Sequence, residues 1–425
     1  MMIRPSPAGR RIRLLELLCC LVYFVSYLTR INYAAALSEL AAGLDISNEL
    51  ASLAVMVSFL TYGLGQILCG FLGDTINPRR MIAAGLAATS LCNILRPLMP
   101  GVYSMAGLWG LNGFFQSMLW PPLVRVMAEN LPEADYRRTC VAVSAAASFG
   151  TVAVYLMVPA CIWISDWRLA FTLPAVLGIA TAAVWLAGTR TCAGGSRSGN
   201  TAESGGASPL AQRPGLWALI RRSALLPLMA VIILQGILRD GITTWMPTYI
   251  NDLYCLGTSF SILTTAILPL FSIISVTAAN AVQKHIAGEV TVAALMFGTG
   301  FAATAGLYLF FSSTPALPII CMAIITGCMH GVNTMLIGRL PRHFAPYGRV
   351  SSVAGLLNAF TYVGSALSTY GIAAISSRWG CTAFAGTLLC ALCIRRWNRF
   401  AVAAGAWPGC ARSPSNMQTK NAPSS

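Results

Sequence analysis

The sequence predicts an all-α membrane protein of twelve spans arranged as two six-helix halves, and three observations predict it. The first is composition: 56% of the 425 residues are hydrophobic, 10% are charged, and the mean hydropathy is +0.68, which places the chain in the membrane class. The second is length. Apolar stretches of about 20 residues, enough for a helix to cross a hydrocarbon core of about 30 Å, recur along nearly the whole chain, without the alternation of a barrel. The third is a single long polar stretch, GTRTCAGGSRSGNTAESGGASPLAQRPG at 188–215, whose Gly/Ser-rich composition reads as a flexible linker between two halves.

The spans follow in order. Span 14–42 starts after Arg10, Arg11 and Arg13, and spans 48–73 and 80–98 flank Arg79 and Arg80. Spans 102–131 and 138–163 flank Arg137 and Arg138, and 167–187 closes the first half. In the second half 223–250 follows Arg221 and Arg222, and 258–281 and 288–311 come next. Spans 315–338 and 349–374 flank Arg339, Arg342 and Arg349, and 379–394 ends at Arg395, Arg396 and Arg399. The expected domains are therefore 1–187, a linker 188–222, 223–394 and a tail 395–425. The last span, Trp379 to Ile394, is short for a bilayer and implies a tilted or snorkelling helix.

A net charge of +15 would suit nucleic acid, but its distribution reports topology instead. Of the 28 Lys and Arg residues, all except Arg30, Arg96, Arg168, Arg239 and Arg378 fall in the two tails and in the loops between even and odd spans with their flanking helix ends. The positive-inside rule then puts both termini in the cytoplasm of a cell inner membrane. The basic head and apolar run at the N-terminus resemble a signal peptide, yet no small-residue cleavage site precedes Arg30. The 14 cysteines sit mostly inside spans, as small hydrophobes do, and the Cys390/Cys393 pair has no second pair to complete a metal site.

Arg30 and Arg239 interrupt apolar runs, each 16 residues past the start of its run, at Leu14 and Ser223. That is about 24 Å along a helix. A cation at that depth costs at least about 2.5–3.5 kcal/mol on insertion scales, and two of them in matching first spans predict positive charges facing each other across an anion pathway. Tyr23, Tyr27 and Arg30 are spaced i, i+4, i+7 and share one helix face. Two phenols beside a guanidinium make a donor-rich wall for phosphate oxygens, and arginine supplies a planar fork; plain packing accounts for the tyrosines equally well. Glu39 and Asp240 are the acids available to the arginines, but Asp240 projects about 100° from Arg239 and is a poor partner on an unbroken helix. Gln116 lies one turn before Trp120 on the same face. Trp120-Pro121-Pro122 reads as a kink or as a cavity wall. His330, alone in an apolar stretch, reads as a hydrogen-bonded core residue.

The loop GFLGDTINPRR, with Asp74, Arg79 and Arg80, resembles the cytoplasmic signature of the major facilitator superfamily, in which Asp74 would pair with a nearby arginine to latch one conformation. The second-half loop ANAVQKHIAGE keeps little of it. The motifs YFVSYLTRINYAAAL, GFFQSMLWPPLVR, SDWRLAFTLPA, ILRDGITTWMPTYI and LNAFTYVGSALSTYG occur in order. Together they resemble the organophosphate:phosphate antiporters over roughly residues 14–380. The resemblance implies that Arg30 and Arg239 bind phosphate, and that Tyr23, Tyr27, Gln116, Trp120 and Tyr362 line the central cavity. It also implies exchange for inorganic phosphate. The chain departs from the family at Ile31 and Thr244, where members carry a Lys and an Asp, at Gln66, where they carry a lysine, and near Ser148, where they carry a histidine. The cavity thus keeps two cations and should favour a singly charged phosphate.

With no Walker loop, catalytic triad or metal-ligand cluster, neither enzyme activity nor a cofactor is expected. The expectation is a monomeric secondary transporter of a small organic anion, most readily a sugar phosphate or glycerol phosphate, with phosphate or protons as coupling partner. A carboxylate transporter of the same fold and a transporter-like sensor of sugar phosphate stand as alternatives.

Overall fold

The computed structural model describes residues 7–46, 48–99, 101–193, 220, 225–254, 267–286, 288–310 and 316–379, and these are helical with short turns and no strand. The first half comprises α1 (Pro7–Ala35), α2 (Leu37–Gly43), α3 (Asn48–Thr75), α4 (Pro78–Leu95), α5 (Val102–Gln116), α6 (Trp120–Asn130), α7 (Glu133–Ile164) and α8 (Leu169–Ala193). The second comprises α9 (Leu225–Tyr254), α10 (Ile267–Gln283), α11 (Glu289–Leu309), α12 (Ala316–Asn333) and α13 (Val350–Trp379). Among the described residues nine helices are long and apolar enough to cross a membrane, and Leu268–Gln283 is a shorter apolar helix. Helix α8 runs through the first residues expected of the linker. The remaining linker, apart from Ile220, lies outside the described residues, as do 258–266 of the eighth span, the short last span after Trp379 and the tail.

Two spans differ from expectation for local reasons. The first divides into α1 and α2 at Ala36. The fourth breaks at Ser117–Leu119, just before Pro121 and Pro122, which have no N–H to continue a helical ladder. Gln116 therefore ends one helix and Trp120 begins the next, and the expected one-turn relationship between them is lost.

Arg79, Arg80, Arg137, Arg138 and Arg339 gather at one end of the bundle, called the basic end here. Bonds between the halves concentrate there. The Asp74 carboxylate at the end of α3 accepts the backbone N–H groups of Ser351 (2.8 Å) and Ser352 (2.9 Å) in the first turn of α13. Those donors lack intrahelical partners, and the positive end of the helix dipole favours an anion. Tyr136 on α7 donates its hydroxyl to the carbonyl of Gly338, 2.5 Å away, in the π-helical turn Thr334–Arg339 that follows α12. Arg339 donates to the carbonyl of Arg137 at 2.9 Å, and Arg342 pairs with Glu133 at 2.9 Å. Nearer the middle, the hydroxyls of Ser148 and Ser272 meet at 2.8 Å.

Helix α13 touches both halves through glycine. A Cβ on Gly355 would collide with the carbonyl of Gln66 on α3, and one on Gly364 with that of Ile233 on α9. Only glycine lets these backbones approach so closely.

Candidate functional site

Arg30 is held in place from behind. The carbonyl of its neighbour Thr29 accepts the side-chain amides of Asn93 (2.9 Å) and Asn112 (3.2 Å). Gln116 donates to Thr29 Oγ1 at 2.8 Å and to the Ser26 carbonyl at 3.2 Å, and Asn32 donates to Asn93 Oδ1 at 2.8 Å. This buried amide cluster ties α1 to α4 and α5 around one turn. Gln116, expected in the cavity wall, is 2% exposed and acts within this support.

On its free side the Arg30 guanidinium lies against two rings, with its carbon 5.0 Å from the Tyr27 centroid and 4.8 Å from that of Tyr62. Such contacts contribute about 0.5–2 kcal/mol each, and they leave the N–H edge of the fork for another acceptor. Among the described residues no carboxylate pairs with Arg30. The aromatic wall continues: Tyr23 packs edge-on to Tyr27 at 5.4 Å and against Trp120 at 4.9 Å, and Tyr62 packs edge-on to Tyr362 at 4.6 Å.

Arg239 is arranged differently, and here the structure corrects the sequence reading. Asp240 is its partner on an unbroken helix: Nε donates to Oδ1 at 2.7 Å and Nη2 to Oδ2 at 2.8 Å, a two-point contact. The 100° between the two Cβ directions is bridged because a long arginine side chain can turn back along the helix surface. Nη1 donates to Asn333 Oδ1 at 3.2 Å, and Ser365 on α13 donates its hydroxyl to Asp240. His330 lies within electrostatic reach of both Arg239 and Asp240, so it borders this cluster rather than a purely apolar core. Tyr27 and Tyr362 lie within electrostatic reach of both arginines. One cation from each half thus faces a shared set of phenols.

Gln66 is fully buried with neither side-chain amide atom hydrogen-bonded, and Trp120 Nε1 is buried without an acceptor. Unmet buried polar groups of this kind cost about 1–3 kcal/mol each. Ser148 serves the bridge to Ser272, and Ile31 packs against an apolar cluster together with Phe24. The Thr244 side chain lies outside the described residues.

The expected latch is also revised. Asp74 caps α13, and the charge of Arg125 reaches it. Arg79 instead donates to the Thr189 carbonyl at 3.2 Å within its own half, and Arg80 is exposed. Both follow Pro78 in the first turn of α4, where Arg79 meets α8.

Sequence reasoning missed Tyr62, Asn333 and Ser365. Each carried a helical-spacing signal: Tyr62 lies four residues before Gln66, Asn333 three after His330, and Ser365 three after Tyr362.

Comparison with known proteins bears on the family and the fold. A "Probable hexose phosphate transport protein" of Chlamydia pneumoniae is 30% identical over 159 residues, covering 37% of this chain and 34% of that one, so the match spans about a third of that relative's length. The "Membrane sensor protein UhpC" of Salmonella typhimurium is 24% identical over 378 residues, 85% of each chain. These names accord with the organophosphate:phosphate antiporter resemblance. Among solved structures, a bacterial homologue of the iron transporter ferroportin in an outward-facing state superposes with a TM-score of 0.74 at 11% identity, over 92% of this chain and 98% of that one; it shares the fold alone. Residues 19–369 match the Major Facilitator Superfamily. With an all-helical fold among the described residues and a family match over most of its length, the chain belongs to the Major Facilitator Superfamily of membrane transporters.

Proposed function

We propose that this chain carries a small phosphorylated organic anion, a sugar phosphate or glycerol phosphate, between the two faces of a cell inner membrane by alternating access. The carrying observation is the pair Arg30 and Arg239, one from each half, sharing Tyr27 and Tyr362 as neighbours. An anion held by both guanidiniums draws the halves together, and only such differential affinity can move the equilibrium between two conformations. On this reading the halves are the units that rock, with 188–222 as their tether. The basic end is cytoplasmic, as the positive-inside rule implies. The bonds of Asp74, Tyr136 and Arg342 then belong to a state closed toward the cytoplasm. Tyr23, Tyr27, Trp120, Tyr362 and Gln66 supply the remaining surface of the site. Inorganic phosphate as the exchanged partner rests on the family resemblance.

The test is uptake of labelled glycerol 3-phosphate and glucose 6-phosphate into proteoliposomes, for the parent, Arg30→Lys and Arg239→Lys. Lysine keeps the charge and loses the fork, so each variant should lose most uptake while inserting normally. Uptake that survives both changes would overturn the paired-arginine site. A sensing role is a second reading, supported by the 85% coverage of the UhpC match. Saturable binding by the parent with no uptake would favour it.

A further inference from the structure

The two arginines present themselves unequally. Arg30 offers an unpaired fork over two rings, whereas the Nε and Nη2 edge of Arg239 is already filled by Asp240. One N–H on Nη1 and one on Nη2 stay outside these bonds and the bond to Asn333, and an anion that takes its two-point hold on the Nε and Nη2 edge displaces the carboxylate from it. The groups facing Asp240 are Arg239 on its own helix, Ser365 on α13 and His330 on α12. Once the anion occupies Arg239, the displaced carboxylate retains, among the described residues, the Ser365 hydroxyl and no paired cation, in surroundings where a bare charge is costly.

We propose that Asp240 couples anion binding to proton uptake, a step that rests on the paired-arginine reading of the site. The incoming anion accepts the Nε–H and Nη2–H bonds of Arg239. The Asp240 carboxylate is released and takes one proton from the water on the open side, becoming a neutral acid that donates to a neighbouring oxygen. When the anion departs, the proton goes with it and the bidentate pair re-forms. No bond other than O–H is made or broken.

Charge balance favours this exchange. The empty site holds two guanidiniums and one carboxylate, a net single positive charge. A singly charged anion arriving with one proton leaves that sum unchanged. A doubly charged anion arriving without a proton would reverse its sign in a medium where charge is weakly screened. The lost accessory lysine at Gln66 and the in-helix acid at Asp240 thus act in the same direction.

The experiment is calorimetry on the full chain in lipid nanodiscs at about pH 6.5, in two buffers of different ionisation enthalpy, to count protons taken up per anion bound. The probes are glycerol 3-phosphate and glycerol 3-sulfate. The sulfate ester holds one constant charge, so its own titration contributes nothing. The parent should take up close to one proton per sulfate ester, and Asp240→Asn should take up none. With its fork released, Asp240→Asn should also bind the sulfate ester about tenfold more tightly, a gain of about 1.4 kcal/mol. His330→Gln should behave like the parent. Binding without proton uptake in the parent would overturn the coupling and leave the anion site standing. Uptake that persists in Asp240→Asn, or vanishes in His330→Gln, would move the proton elsewhere and overturn it too. Failure of both the parent and Asp240→Asn to bind either probe would remove the coupling and the anion site together.

Discussion

Tyr62 lies beneath Arg30, its ring centroid 4.8 Å from the guanidinium carbon, and it packs edge-on to Tyr362 of the other half at 4.6 Å. One phenol therefore links the first-half cation to a second-half wall. The face of the ring attracts the cation while the N–H edge stays free, which holds a charge in place without neutralising it.

Replacing Tyr62 should separate the ring from its hydroxyl. Tyr62→Phe keeps the quadrupole and should retain transport within about threefold of the parent, whereas Tyr62→Leu should lose about 1–2 kcal/mol of support for Arg30. Initial uptake rates in proteoliposomes, normalised to reconstituted protein, would check this; equal rates for the two variants would show that the ring is mere filling.

Asp74→Ala should weaken the closed basic end. It removes an acceptor from two N–H groups at a helix start, a loss of about 1–2 kcal/mol, or roughly a five- to thirtyfold shift in the conformational ratio. Spin labels on α3 and α13 near that end, read by pulsed electron resonance, should show the longer distance gaining population. An unchanged distribution would mean that Asp74 does not hold this state.

Tyr136→Phe should act in the same direction by a different bond. Losing the hydroxyl leaves the buried Gly338 carbonyl with only the weaker thiol donor of Cys140, 3.6 Å away, a loss of about 0.5–1.5 kcal/mol. Because Tyr136 and Asp74 sit on separate helices, the double variant should shift the same distance distribution by close to the sum of the singles. A strongly non-additive result would identify a single cooperative gate.

Gln66→Lys should alter charge preference. The second ionisation of a phosphate monoester lies near pH 6, so lowering the pH from about 7.5 to 5.5 should tighten binding of glycerol 3-phosphate to the parent. A third cation in the site stabilises the dianion and should flatten that dependence. Calorimetry at both pH values would decide it, and equal affinity at the two values in the parent would remove the preference for a singly charged phosphate.

Much of the fold was legible because a bilayer imposes a coarse rule: about 20 apolar residues per span, with arginines on one side. Arg30 and Arg239 were legible for the same reason, since a charge amid apolar residues stands out in the sequence. Asp240 was misread because helical geometry fixes where Cβ points but not where a long side chain ends. Tyr62 was missed because a tyrosine in a span looks like packing until a cation is placed over it. The role of Asp74 was half legible: a carboxylate beside glycines signalled a latch, but its acceptors' partners are backbone N–H groups more than 270 residues away in sequence, which no local pattern reports. The break at Ser117–Leu119 follows from Pro121 and Pro122, which are written in the sequence.

Helix α13 meets α3 and α9 across glycines, backbone against backbone. Surfaces without side chains have no rotamers to freeze or release when they separate. Sliding at those positions meets little friction, and on the proposed mechanism opening is resisted by the hydrogen bonds at the basic end, the Ser148–Ser272 bridge and the Tyr62–Tyr362 contact. The protein's switching rate should consequently respond sharply to single-atom changes at Asp74 or Tyr136. Along the long glycine seam itself it should respond mainly to added bulk, where even one methyl group acts as a wedge.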